Sequence, residues 1–169
     1  MSHKIIVLLL GVVPVAVAQH ASMPAGMSCE QHMKLMQHQD EMKKRGDLAM
    51  GFDQDKIRHH FQLTDDGGSI EISVTDASDD ATRKQVRDHL KKIAREFAEG
   101  IFTSPIATHG EVPPGVEVLR ERKALVQYSY EETAAGGRVI IHTADSRALT
   151  AMHDFLRYQI REHATGDPL

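Results

Sequence analysis

The sequence predicts an α+β domain of order β-β-α-β-β-α, an antiparallel sheet with two helices on one face, preceded by a Met/His-rich helical N-terminal segment. Two observations carry most of this. Two stretches alternate apolar and polar residues around glycine-rich turns, as half-buried hairpins do. Each is followed by a run in which apolar residues recur at helical spacing. Punctuation by glycine and proline at Gly100, Pro113 to Gly115 and Gly166 to Pro168 sets the boundaries.

The chain divides into residues 1–18, 19–50 and 51–169. Residues 1–18 read as a signal peptide: Lys4 beside His3 is a short basic start, Ile5 to Ala18 is apolar apart from Gly11 and Pro14, and Ala16-Val17-Ala18 offers a small-x-small cleavage site. That run is short for a membrane span, which takes roughly 20 helical residues. No later stretch approaches that length, so no membrane span is expected after cleavage. A periplasmic or secreted location follows. Cys29 comes after Gly26-Met27-Ser28 and well beyond the apolar run, so a lipid anchor is not expected.

Residues 19–50 are polar, lack β-branched side chains and are dense in soft or imidazole groups: His20, Met23, Met27, Cys29, His32, Met33, Met36, His38, Met42 and Met50. Good helix formers from Glu30 to Arg45 predict a helix capped by Ser28 and stopped at Gly46.

In the domain, His59 to Leu63 reads as a strand, Asp65-Asp66-Gly67-Gly68 as a hairpin turn, and Ser69 to Val74 as the returning strand with Ile70, Ile72 and Val74 on one face. Capping oxygens between Asp76 and Asp80 open a helix whose stripe is Val86, Leu90, Ile93, Ala94 and Phe97. A long loop with Pro105, Pro113 and Pro114 then carries His109-Gly110. Ala124 to Glu131 and Arg138 to Thr143 form the second hairpin around the turn Thr133-Ala134-Ala135-Gly136-Gly137. Asp145 or Ser146 opens the last helix, with Leu149, Met152, Leu156 and Ile160 inward. The open sheet face is left to solvent or to the N-terminal segment, and no sequence repeat between the halves is detectable.

A lone cysteine in an oxidising compartment cannot form an internal disulfide. The formal charge of −4, the absence of tryptophan and the lack of a basic stripe exclude nucleic acid as an expected partner. The unusual entries in the composition are 11 His and 8 Met. On a helix, Cys29, His32, Met33 and Met36 share one face, and a thiol, an imidazole and two thioethers select copper(I) or a similar soft ion over magnesium or calcium. The competing reading makes Met33 and Met36 the apolar stripe of a docking helix.

Among the domain histidines, adjacent His59 and His60 point to opposite faces of their strand, so only one can join a given site. His59, sharing a face with Phe61, reads as a hydrogen-bonded core residue and His60 as an outer-face group. Gly110 frees the backbone to present His109 openly. His163 stands where a helix dipole favours a protonated ring. His89, His142 and His153 read as boundary or surface residues. There is no H-E-x-x-H, C-x-x-C, G-x-S-x-G or phosphate-binding glycine loop.

The run Met50-Gly51-Phe52-Asp53-Gln54 with His59-His60-Phe61, the loop His109-Gly110-Glu111-Val112-Pro113-Pro114-Gly115 and the closing Ile160-Arg161-Glu162-His163 with Gly166-Asp167 resemble a family of small exported bacterial proteins. The resemblance spans about residues 46–168 and brings no particular activity. It implies that His59, His60, His109 and His163 belong to recurring motifs and that the Met-rich lead-in is a variable extension. The expected function is therefore an exported metal-binding protein handling copper in tolerance or delivery, with Cys29, His32, Met33 and Met36 as capture ligands and the domain histidines as further ones. Two alternatives stand beside it: a non-catalytic module binding an envelope protein, and a histidine-based enzyme with His60, His109 and His163 around one pocket.

Overall fold

The structure, a computed structural model, describes residues 26–169. The signal peptide, His20 and Met23 lie outside the described residues. Helix α1 runs Cys29–Met50, opened by a capping box in which Ser28 Oγ accepts from Gln31 N–H and Gln31 Oε1 accepts from Ser28 N–H. It passes through Gly46 and ends at left-handed Gly51 (φ 81°). Gly46 is needed for close approach: a Cβ there would lie 2.0 Å from Gln54 Nε2, which donates to Lys43 O across the helix.

The rest is β1 (Ile57–Thr64), β2 (Gly67–Val74), α2 (Asp80–Ala98), α3 (Thr103–His109), α4 (Val116–Glu121), β3 (Val126–Thr133), β4 (Gly136–Thr143) and α5 (Ser146–Glu162). The expected fold class holds: a four-stranded antiparallel sheet of order β1-β2-β4-β3 carries α2 and α5 on one face. Phe61, Ile70, Ile72, Val139 and Ile141 meet Val86, Leu90, Phe97, Met152, Phe155 and Leu156 in a single core. The opposite face bears Arg58, His60, Glu71, Arg138 and His142 and is not covered by α1, which packs instead on α3.

Two expectations are corrected. The turns hold only Asp65-Asp66 and Ala134-Ala135, and the paired glycines that follow open β2 and β4 rather than the turns. The long loop is largely helical: Pro105 sits in the first turn of α3, where its missing N–H costs nothing, and Phe102 anchors the segment in the core. No helix among the described residues is long and apolar enough to cross a membrane.

The halves β1-β2-α2 and β3-β4-α5 are related by a two-fold axis through the β2–β4 pairing. Gly67 opposes His142 and Ser73 opposes Gly136, while Ile70 opposes Val139. A constant offset in numbering thus carries Ile57 to Val126, Gly67 to Gly136 and Val74 to Thr143. The joins between hairpins repeat as well: Val74 N–H donates to Ala135 O at 2.8 Å and Thr143 N–H to Asp66 O at 2.9 Å. Asp79 and Asp145 cap the two helices in the same way, accepting from Thr82 N–H and Ala148 N–H. The symmetry resides in the backbone, which is why the side chains do not advertise it.

Candidate functional site: a histidine cluster between two cavities

Each half has an aromatic contact where the end of its helix side meets an edge strand, and the two contacts are chemically different. Phe97 of α2 meets Tyr128 of β3, with ring centroids 5.8 Å apart. The equivalent places are taken by His163, just past α5, and His59 of β1, whose rings lie 4.5 Å apart and tilted by 35°. His109, the last residue of α3, stands edge-on to His163 at 5.3 Å. Three imidazoles from three elements form one cluster.

Local structure fixes each ring. His59 points to the helix side of β1 and stacks on Phe61, 5.9 Å away. Gly110 (φ 76°) closes α3, but Arg45 of α1 donates from Nε to Thr108 O (3.0 Å) and from Nη2 to His109 O (3.3 Å). His109 is thereby drawn inward and buried, not presented openly. Its Nε2 donates to Gln159 Oε1 at 3.0 Å, leaving His109 Nδ1 and Gln159 Nε2 buried without partners among the described residues.

A cavity of about 60 Å³ lies on the inner side, lined by Met50, His59, His89, His109, Gln159 and His163 with apolar core residues. A cleft of about 370 Å³ between α1, β1 and the end of α5 lies on the outer side, and His59 and His163 belong to its wall too. These two rings form the partition. Lys43, Arg58, Gln54 and Glu162 line the outer side.

Loss of water dominates the electrostatics. Burial, helped by the neighbouring imidazoles, lowers His59 to about 3 and holds His163 well below the ordinary histidine value. His89, edge-on to Phe52, is lowered to about 4 by burial. His109 is lowered by burial against the opposing pull of Gln159, Glu162 and Glu111. All are neutral at pH 7, so the expected dipole-favoured, protonated His163 is overturned: packing outweighs the last-turn field.

The other sequence candidates fall elsewhere. His60 points to the open face with Nδ1 3.0 Å from Asp167 Oδ1 and borders the outer cleft beside His163, but it does not line the inner cavity with His109, and the three-histidine pocket expected for an enzyme is made with His59 instead. Cys29, Met33 and Met36 are exposed on α1, Met33 at 65%, while His32 is half-buried. The docking stripe is Met42 and Gly46, so Met33 and Met36 are not core anchors. Among the described residues no three His, Cys, Asp or Glu side chains are already arranged to hold a metal ion.

Sequence reasoning missed Arg45, His89 and Gln159. The last two carried a signal: His89 and Gln159 fall on the core stripes of their helices, where a polar residue is anomalous. Arg45 carried none, because its partners are backbone carbonyls distant in sequence. No family model, curated protein or solved structure matches the chain.

Proposed function

We propose that the protein is an exported metal-binding protein that takes copper(I), or a comparably soft ion, at His59, His109 and His163. The observation that carries this reading is the substitution of imidazole pair for aromatic pair between equivalent places of one fold. The backbone packs well around Phe97 and Tyr128, so packing alone gives no reason for histidine at the other end. Neutral imidazole is the form that ligates metals, and burial keeps these rings in it. Met50 adds a thioether to the inner wall, which has no carboxylate; that donor set favours a soft ion over magnesium or calcium. The rings now touch face and edge, so ligation requires His59 and His163 to turn toward a common point. Cys29, His32, Met33 and Met36, on the N-terminal half of the helix that borders the outer cleft, serve as an exposed capture face.

Copper(I) competition against a chromophoric chelator tests this with the secreted chain. His59→Phe and His163→Phe, which copy the other half, are expected to weaken binding by more than the roughly 10- to 100-fold that loss of a supporting hydrogen bond costs a metal site. Met33→Leu/Met36→Leu is expected to reduce stoichiometry or rate of capture with smaller loss at the inner site. No competition by the parent chain, or unchanged affinity in both phenylalanine variants, sinks the reading.

A further inference from the structure

We infer that two copies of this chain pair through strand β3, joining their sheets into one continuous antiparallel sheet. The strand order leaves β1 and β3 as edges. The chain closes the first itself: Asp167 Oδ2 accepts from Phe61 N–H at 2.9 Å, and its other oxygen meets His60. The two-fold counterpart of Phe61 is Tyr130, whose N–H therefore points outward from β4 in the same way, and no described side chain takes it. Among the described residues only the ends of β3 are held, by Arg87 on Thr133 O and by Thr143 on Leu125 O.

Exposed edges are normally blunted by lysine, proline, a bulge or a cover. The β3 sequence VQYSYEET has no lysine or proline and pairs with β4 without a break in register. Its two carboxylates are answered within the chain, Glu131 by Arg138 at 2.8 Å and Glu132 by Arg87 at 3.0 Å. A second copy thus approaches without uncompensated like charge.

The strand is also complementary to itself. A two-fold axis through Ser129 sets Tyr128 opposite Tyr130 of the partner subunit on the helix side and Gln127 opposite Glu131 of the partner subunit on the open face. Every outward backbone group from Val126 to Glu132 then finds a partner. The pairing brings a partner tyrosine against a groove of about 390 Å³ lined by Lys91, Ala94, Arg95, Ala98, Tyr128 and Tyr130. A partner tyrosine laid there covers the apolar faces of Tyr128 and Tyr130, whose phenol oxygens are already turned away from water within one copy.

Sedimentation equilibrium in chelator-containing buffer, which keeps the outcome independent of metal, tests the pairing. The expected mass is twice that of one chain, returning to a single chain on Ser129→Lys, whose charge falls on the axis of the open face. In a Cys29→Ser background, Ser129→Cys is expected to cross-link into dimers on oxidation, and Gln127→Cys, whose twin lies far along the strand, is not. A monomer at every concentration, including one that captures an added extended peptide, overturns the inference. So does a dimer indifferent to Ser129→Lys, or equal cross-linking by both cysteine variants.

Discussion

In the half where α2 crosses β3, Phe97 and Tyr128 pack as core aromatics; where α5 crosses β1, His163 and His59 stand in their places. An aromatic pair is worth about 0.5–1.5 kcal/mol beyond its area. Imidazole surrenders much of that, and taking each polar ring out of water costs roughly 1–3 kcal/mol when its hydrogen bonds are not replaced. Only one half bears this cost. It also receives the cover of α1, the clamp of Arg45 and two adjoining cavities, so the scaffold is shared and the chemistry is not.

The largest effects should be those that strike the shared scaffold, and they should be equal on both sides. A Cβ on Gly67 would lie 1.9 Å from Ile141 O, and one on Gly136 would lie 2.0 Å from Ile72 O, its two-fold mate. Neither obstacle is a flexible side chain, so the central strands must separate. Gly67→Ala and Gly136→Ala are each expected to destabilise the chain by on the order of 3 kcal/mol or more in urea unfolding. A gap of more than about 2 kcal/mol between them would break the equivalence of the halves.

Exchanging the pairs should give effects of opposite sign. Phe97→His buries an unpartnered ring and creates poorer packing, at a cost of about 2–4 kcal/mol. His163→Phe restores an aromatic contact and should be neutral or stabilising at pH 7. The pH dependence separates them further. In the unfolded chain histidine titrates near its ordinary value of about 6.5, whereas folding lowers His59 to about 3 and His89 to about 4. The unfolded state therefore binds more protons below pH 6.5. Stability from these rings is complete above that value and is lost as pH falls through it toward the folded values, by at most about 1.4 kcal/mol per pH unit for each ring. Aspartates such as Asp66 and Asp167 are lowered from 3.8, so their losses begin only further down. Between pH 6.5 and 4 the slope should be shallower in His163→Phe and steeper in Phe97→His; parallel curves for all three proteins would contradict the burial assigned to His163.

How much of this was legible in the sequence follows from where the determinants lie. Alternation in Ser69 to Val74 and helical spacing from Val86 to Phe97 are local, and they specified the element order and the helix-bearing face. The end of α1 was misplaced because Gly46 answers to Gln54, a tertiary neighbour, rather than to a helix terminus. His59, His109 and His163 were legible as candidates, and strand alternation already separated His60 from His59, but the union of His109 with the other two depends on α3 folding back under Arg45. Gln159, partner of His109, stood on an apolar stripe and could have been read as an anomaly. The two-fold itself was hard to see: at equivalent places the chain has Tyr128 and His59, Phe97 and His163, so the repeat survives only in register, in the helix caps and in the glycine pairs that open β2 and β4.

The smallest effect should come from the outermost asymmetry, the tie between α1 and the end of α5. His38 Nε2 lies 3.0 Å from Glu162 Oε2, with the histidine side chain 53% exposed. Water competes for both groups, and holding two mobile side chains together offsets most of the attraction. By contrast, Met42 and Gly46 are buried in the same helix, and Arg45 grips two carbonyls at the end of α3. The hold of α1 on this half should thus rest on packing and on the guanidinium. His38→Ala is expected to change stability by less than about 0.5 kcal/mol, with little response to salt. Arg45→Ala, which strands carbonyls in a partly buried place, should cost about 1–3 kcal/mol. If urea unfolding put His38→Ala above Arg45→Ala, the clasp over the histidine cluster would be electrostatic, and the inward placement of His109 would need another cause.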